Sequence, residues 1–96
     1  MSAPCEAHAV RAKAVAHGRV QGVFYRDTMR RAAERLELSG SAVNKPDGTV
    51  ESFFEGPRES VERMIEIARQ GSSGAEVERL EIEWLEPTGE TGFRTG

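Results

Sequence analysis

The stretch from Gly18 to Arg26 combines residue types that could bind an anion. It reads Gly-Arg-Val-Gln-Gly-Val-Phe-Tyr-Arg and lies between a segment with strand-like alternation and one with helical periodicity. Gly18 and Gly22 allow loop conformations that a Cβ atom would hinder. Such a loop directs several N–H groups at one point, which lies at the positive end of the helix dipole. The planar guanidinium of Arg26 matches the geometry of phosphate oxygens. The stretch is therefore predicted to hold a small phosphate-like anion.

The segments around this stretch predict a β-α-β-β-α-β order with a possible short fifth strand. The predicted elements are a strand over His8–His17, a helix over about Val23–Leu36, a hairpin of Gly40–Asn44 and Thr49–Glu55 around the Lys45–Gly48 turn, a helix after Gly56-Pro57, a strand over Val77–Leu85 and an edge strand around Phe93. Two helices on one face of an antiparallel sheet of four to five strands form the ferredoxin-like α+β sandwich. In that fold the first β-α loop and the middle hairpin can be neighbours in space.

Both predicted helices carry an apolar stripe. The residues at helical spacing are Tyr25, Met29, Ala32, Ala33 and Leu36 in the first helix and Val61, Met64, Ile65 and Ala68 in the second. In the later strand, Leu80, Ile82 and Trp84 alternate with glutamates, which is typical of a half-buried strand. We interpret these stripes as hydrophobic core, and no cofactor is needed to explain them.

Length and composition favour one domain over residues 1–96, with residues 1–7 as a flexible tail. The chain has 96 residues, of which 38% are hydrophobic and 30% charged, as is ordinary for a soluble globular protein. A net charge of −3 argues against broad nucleic-acid binding, and no apolar run is long enough to cross a membrane. Cys5 is the only cysteine, which suits a reducing compartment, so a cytoplasmic monomer is expected.

Motifs of several other site classes are missing from the sequence. There is no HxxxH or CxxC pair that would indicate a metal site, and no Gly-x-Ser-x-Gly nucleophile elbow. The Gly-Lys-Ser/Thr ending of a Walker loop is also missing, and Cys5 lies far upstream of the anion-binding stretch. The sequence therefore gives no motif for a metal site, a serine nucleophile or a Walker-type phosphate loop.

Two motifs resemble the signatures of the acylphosphatase family. Gly18–Arg26 closely matches the first signature, and Gly40–Asn44 followed by Pro46–Glu51 matches the second. Glu55-Gly56-Pro57, the helix around Val61 and the Glu78–Trp84 strand also fit, so that the resemblance covers nearly the whole chain. It implies the ferredoxin-like fold and hydrolysis of a small-molecule acyl phosphate to a carboxylate and inorganic phosphate, without metal or cofactor.

The resemblance also implies a set of site residues. Arg26 and Asn44 would be the catalytic pair, and the phosphate would be bound by the backbone amides of Arg19, Val20, Gln21, Gly22, Val23 and Phe24. A carboxylate leaving group has a pKa near ~4, so it departs without a general acid. The remaining tasks are to stabilise the phosphoryl oxygens, which suits Arg26, and to orient a water, which suits the amide of Asn44.

Two other functions remain open at this point. The same loop could hold an anion without turnover in a binding or regulatory module, although simple anion binding would not need Asn44. An RNA-recognition module shares the topology and stacks bases on exposed sheet aromatics, for which Phe53 is the one candidate. Tyr25 stands where the family usually has phenylalanine, so its hydroxyl needs a partner.

Overall fold

Residues 9–96 of the chain are described by a computed structural model, and Cys5 and the expected tail lie outside the described residues. The strands are β1 (Ala9–Arg19), β2 (Ser39–Asn44), β3 (Val50–Pro57), β4 (Glu76–Leu85) and β5 (Phe93–Thr95), and the helices are α1 (Tyr25–Arg35) and α2 (Arg58–Gln70). Across the sheet the strand order is β4-β1-β3-β2-β5. All neighbours are antiparallel except β5, which pairs parallel to β2. The predicted ferredoxin-like α+β fold is confirmed, and the fifth strand makes the sheet mixed.

The hydrophobic core lies between the two helices and one face of the sheet. The buried helix residues are Tyr25, Met29, Ala32 and Ala33 of α1 and Val61, Met64, Ile65 and Ala68 of α2, as the helical spacing predicted. Leu36, the last residue of the predicted α1 stripe, is only partly buried at the edge of this core. The sheet contributes alanines from β1 and the fully buried ring of Phe54 from β3.

Two element boundaries next to the anion-binding stretch differ from the sequence prediction. α1 begins at Tyr25 rather than Val23, because Phe24 adopts a left-handed backbone with a φ of 63° that cannot belong to a right-handed helix. β1 continues to Arg19, past the predicted end at His17, across a β-bulge between His17 and Gly18. A bulge breaks the two-residue periodicity on which the prediction depended.

Phe53 lies on the sheet face opposite the helices, but it is half-buried. The guanidinium carbon of Arg11 sits 4.6 Å from the centre of its ring. A nucleic-acid base could stack on this ring only by displacing a cation that already covers it. The geometry therefore disfavours the RNA-recognition alternative.

A buried carboxylate, Glu55 of β3, attaches the segment before β5 to the sheet. It accepts hydrogen bonds from the amides of Thr88 (3.0 Å) and Gly89 (2.7 Å) and from the guanidinium of Arg11 (2.8 Å). Burial by itself would raise the pKa of Glu55, but these donors outweigh it and lower the pKa to about 2. The network thereby stabilises the chain segment that leads into β5.

We expect Glu55→Gln to lower the free energy of unfolding by about 2 kcal/mol at pH 7, because a neutral amide replaces the ionised carboxylate that accepts hydrogen bonds from Thr88, Gly89 and Arg11. The folded pKa of about 2 lies below the ordinary 4.5, so the contribution of Glu55 is complete above pH 4.5 and is lost as the pH falls towards 2. Urea unfolding of the unaltered protein and of Glu55→Gln at several pH values measures this contribution to the free energy of unfolding. The stability difference should shrink from pH 5 to pH 2, whereas Glu83→Gln at the exposed edge should change stability little. A difference that is constant over this range contradicts the assignment.

Candidate functional site

The site begins where β1 passes into the loop of residues 20–24. At the bulge, Gly18 has a φ of 121°, and a Cβ atom there would lie 2.2 Å from the carbonyl oxygen of Glu76, so only glycine fits. Val20 is buried and anchors the loop in the core, whereas Gly22 (φ 74°) and Phe24 (φ 63°) both take left-handed conformations. The loop is thereby curved between two fixed ends, the edge of the sheet and the start of α1.

The backbone amides of this loop have no hydrogen-bond acceptor within residues 9–96. Among residues 9–96, none of the N–H groups of residues 20–24 donates to another protein group. They lie next to the N-terminus of α1, where the helix dipole adds positive potential. Free N–H groups in a curved loop at a helix N-terminus are a suitable arrangement for binding an oxyanion.

The side chain of Gln21 connects this loop to the hairpin between β2 and β3. Its amide nitrogen donates to the carbonyl oxygens of Lys45 (2.8 Å) and Thr49 (2.9 Å), which frame the hairpin turn. Within the turn, the Asp47 carboxylate accepts from the hydroxyl and the amide of Thr49, and these bonds lower the pKa of Asp47. Sequence reasoning counted only the backbone of Gln21. Its side chain in fact holds the loop of residues 20–24 next to the hairpin turn.

The connector between α2 and β4 supports the same loop from another side. The hydroxyl of Ser72 donates to the carbonyl of Val23 at 2.6 Å. The hydroxyl of Tyr25 is fully buried and donates to the carbonyl of Ala68 in α2 at 2.7 Å, and burial raises the pKa of Tyr25. The partner that the Tyr25 hydroxyl requires is therefore a backbone carbonyl of α2, so the loop is attached to both α2 and the connector.

Arg26 lies in the first turn of α1, beside a cleft of about 280 Å³. The cleft is lined by Val20, Gly22, Phe24, Tyr25, Arg26, Asp27 and Thr95. The Nη1 group of Arg26 donates to the carbonyl of Gly96, just beyond β5. The carboxylate of Asp27 is paired with Arg30 (2.6 Å) and Arg31 (3.1 Å), so its negative charge is compensated. The cleft is therefore lined by the guanidinium of Arg26 and by a carboxylate whose charge is already paired.

Asn44 is the last residue of β2 and reaches the same point from the hairpin side. Its backbone N–H donates to the carbonyl of Gly96 at 3.1 Å, which is the oxygen that Arg26 contacts. The side-chain oxygen Oδ1 is buried and has no hydrogen-bond partner among the described residues. A buried acceptor without a donor is costly, and such groups are common where a water or ligand belongs.

The predicted site residues are thus brought together in part. Val20, Gly22, Phe24 and Arg26 line the cleft, and Asn44 joins them through Gly96. Arg19 ends β1 in a pair with Glu76, and Val23 lines a neighbouring groove. Thr95 and Gly96 were missed because no local pattern indicates that a three-residue strand pairs parallel to β2.

No group of three or more His, Cys, Asp or Glu side chains within residues 9–96 could hold a metal ion. In the same range, none of the helices is long and apolar enough to cross a membrane.

Comparisons with known proteins show which family this chain resembles. The acylphosphatase family model matches residues 12–95. A curated acylphosphatase of Thermococcus kodakarensis is 48% identical over 85 residues, which are 88% of this chain and 93% of that protein.

Two solved structures share the fold over most of the chain. An acylphosphatase from Coxiella burnetii superimposes with a TM-score of 0.89 at 31% identity, covering 95% of this chain and 96% of its own. The crystal structure of an acylphosphatase from Bacillus subtilis gives 0.87 at 27% identity, with coverage of 91% and 98%. The residues that the family model matches include the loop, the hairpin and β5. The chain therefore belongs to the acylphosphatase family.

Proposed function

We propose that this protein hydrolyses the carboxyl–phosphate bond of acyl phosphates through the site formed by Arg26, Asn44 and the loop amides. The observation that carries the proposal is the buried Oδ1 of Asn44, which has no partner among residues 9–96 and belongs to the residue whose backbone N–H shares the Gly96 carbonyl with Arg26. A site for anion binding alone requires positive charge and N–H donors, and it has no use for an orphaned acceptor. A site that also orients a water requires one.

The loop amides and Arg26 bind the phosphoryl group. Arg26 uses Nη1 on the carbonyl of Gly96, which orients the guanidinium and leaves its other N–H groups for phosphate oxygens. The amides of residues 19–24 surround the remaining oxygens, with the N-terminus of α1 behind them. These donors stabilise the charge that spreads over the oxygens in the transition state.

Asn44 orients the attacking water. Its Oδ1 accepts a hydrogen bond from one O–H of the water, and that proton stays on the water oxygen, so that a lone pair of this oxygen points at phosphorus in line with the bond to be broken. The water oxygen forms the new P–O bond, and the carboxylate leaves with the electron pair of the old one. The other water proton passes to a phosphate oxygen, so the products are a carboxylate and inorganic phosphate. No protein acid is needed, because a carboxylate is a weak base with a pKa near ~4.

Phosphate release from benzoyl phosphate and acetyl phosphate, measured in the presence of a chelator, tests this function. We expect turnover of both acyl phosphates and none of p-nitrophenyl phosphate, whose leaving group is a stronger base. Phosphate binding without turnover of either acyl phosphate would instead support a non-catalytic anion-binding module.

A further inference from the structure

Phe24 combines two unfavourable features that its role as a loop amide does not explain. Its side chain is 81% exposed, which makes it the most exposed large hydrophobic residue in the described part of the chain. Its φ of 63° is a left-handed conformation that bulky residues avoid. A glycine or asparagine would satisfy the backbone here without exposing a ring to water.

The backbone of Phe24 is held firmly in this conformation. Its carbonyl accepts from the amide and the hydroxyl of Thr28, both at 3.0 Å, in the first turn of α1. On the other side of the loop, Ser72 holds the carbonyl of Val23. Because both sides are fixed, the Cα–Cβ bond of Phe24 has a defined direction.

The ring lies at the boundary between the phosphate cleft and a second depression. This second groove, of about 630 Å³, runs from Gly22 and Phe24 along α1 to the connector and is lined there by Ser72, Ser73 and Gly74. The two depressions share Gly22, Phe24 and Asp27. The groove is contiguous with the cleft, so an acyl phosphate whose phosphoryl group is held at Arg26 can extend its acyl portion into the groove.

The charges around the groove suit an uncharged acyl group. Its one cationic side chain among the described residues, Arg31, is paired with Asp27 at 3.1 Å. The connector contributes hydroxyls and glycine, so the apolar side chains of the lining are the half-buried Val23 and the exposed ring of Phe24. An aromatic or other apolar group gains more from this ring than a methyl group does.

We propose that Phe24 determines acyl-group preference by packing its ring on the acyl portion of the substrate, which favours aryl acyl phosphates over acetyl phosphate. This inference rests on the proposed function. It assigns the second groove to the acyl group and the first cleft to the phosphoryl group.

The test is the ratio of kcat/KM for benzoyl phosphate to that for acetyl phosphate in Phe24→Asn and Phe24→Trp. Asparagine tolerates the left-handed backbone, so the loop is kept while the ring is lost. We expect the ratio to fall roughly fivefold in Phe24→Asn and to be kept or raised in Phe24→Trp. Trp84→Ala is the matched control, because it removes the other exposed aromatic, on β4 beside Arg58, and should leave the ratio unchanged.

An unchanged ratio in Phe24→Asn overturns the inference, and so does an equal fall in Phe24→Trp, since the loop rather than the ring would then be responsible. If the unaltered protein hydrolyses neither substrate, the proposed function itself fails. That outcome is distinct, because it is seen before any variant is made. The ratio compares two substrates on the same protein, so partial misfolding of a variant cancels from it.

Discussion

Replacing Arg26 with alanine is expected to lower kcat/KM for benzoyl phosphate by about a thousandfold or more, which is the scale of losing a transition-state arginine in phosphoryl transfer. Arg26 contributes the one guanidinium that lines the cleft, and its contact with the carbonyl of Gly96 orients it. Inhibition by inorganic phosphate should weaken as well, because the same side chain binds substrate and product. Steady-state kinetics with phosphate as a competitive inhibitor measures both effects.

Two further variants sharpen this test. Arg26→Lys keeps the charge but lacks the planar fork, so it should recover only a small part of the activity. Arg35→Ala removes the same residue type from the exposed last turn of α1 and should behave like the unaltered protein. If Arg26→Ala keeps more than about a tenth of the activity, Arg26 does not stabilise the transition state as proposed.

The second large effect is expected for Asn44→Ala, which should lower kcat by about a hundredfold or more while inhibition by inorganic phosphate is largely kept. The reason is that Asn44 orients the water but does not bind the phosphoryl group. The pattern differs from that of Arg26→Ala, in which turnover and phosphate binding fall together. The two variants therefore separate the two halves of the site.

Protein stability gives an independent readout for Asn44. Because Oδ1 is buried without a partner, its removal should leave the free energy of unfolding unchanged or raise it by up to about 1 kcal/mol. A loss of activity without a loss of stability indicates a functional role. Substantial unfolding of Asn44→Ala would show instead that Asn44 is a structural residue of the hairpin. A kcat close to that of the unaltered protein would contradict its role in orienting the water.

The core and the element order were predictable from the sequence because they depend on near neighbours in the chain. The stripe of Val61, Met64, Ile65 and Ala68 is fully on the core side of α2, as its spacing indicated. The Pro46-Asp47-Gly48 turn forms, since Asp47 caps the amide of Thr49 by itself. Each of these features is decided within about eight residues, so a pattern in the sequence is enough to indicate it.

The geometry of the site was decided only by the tertiary structure. Arg26 and Asn44 meet at the carbonyl of Gly96, which is 70 residues from Arg26 in the chain. Gln21 spans the loop and the hairpin through carbonyl groups that every residue possesses, so its partners leave no trace in the sequence. The left-handed backbone of Phe24 is likewise held by contacts on both sides of the loop.

The sequence by itself therefore determined which residues could do chemistry: a loop with two glycines, an arginine at the start of a helix and an asparagine before a turn. Residue type and local spacing are enough for that. Only the folded chain decided how they cooperate, because β5 pairs parallel to β2 and brings the carbonyl of Gly96 to the side chain of Arg26 and to the backbone N–H of Asn44. Contacts of this kind depend on the shape of distant surfaces once they are packed, and the local pattern of a sequence does not contain that information.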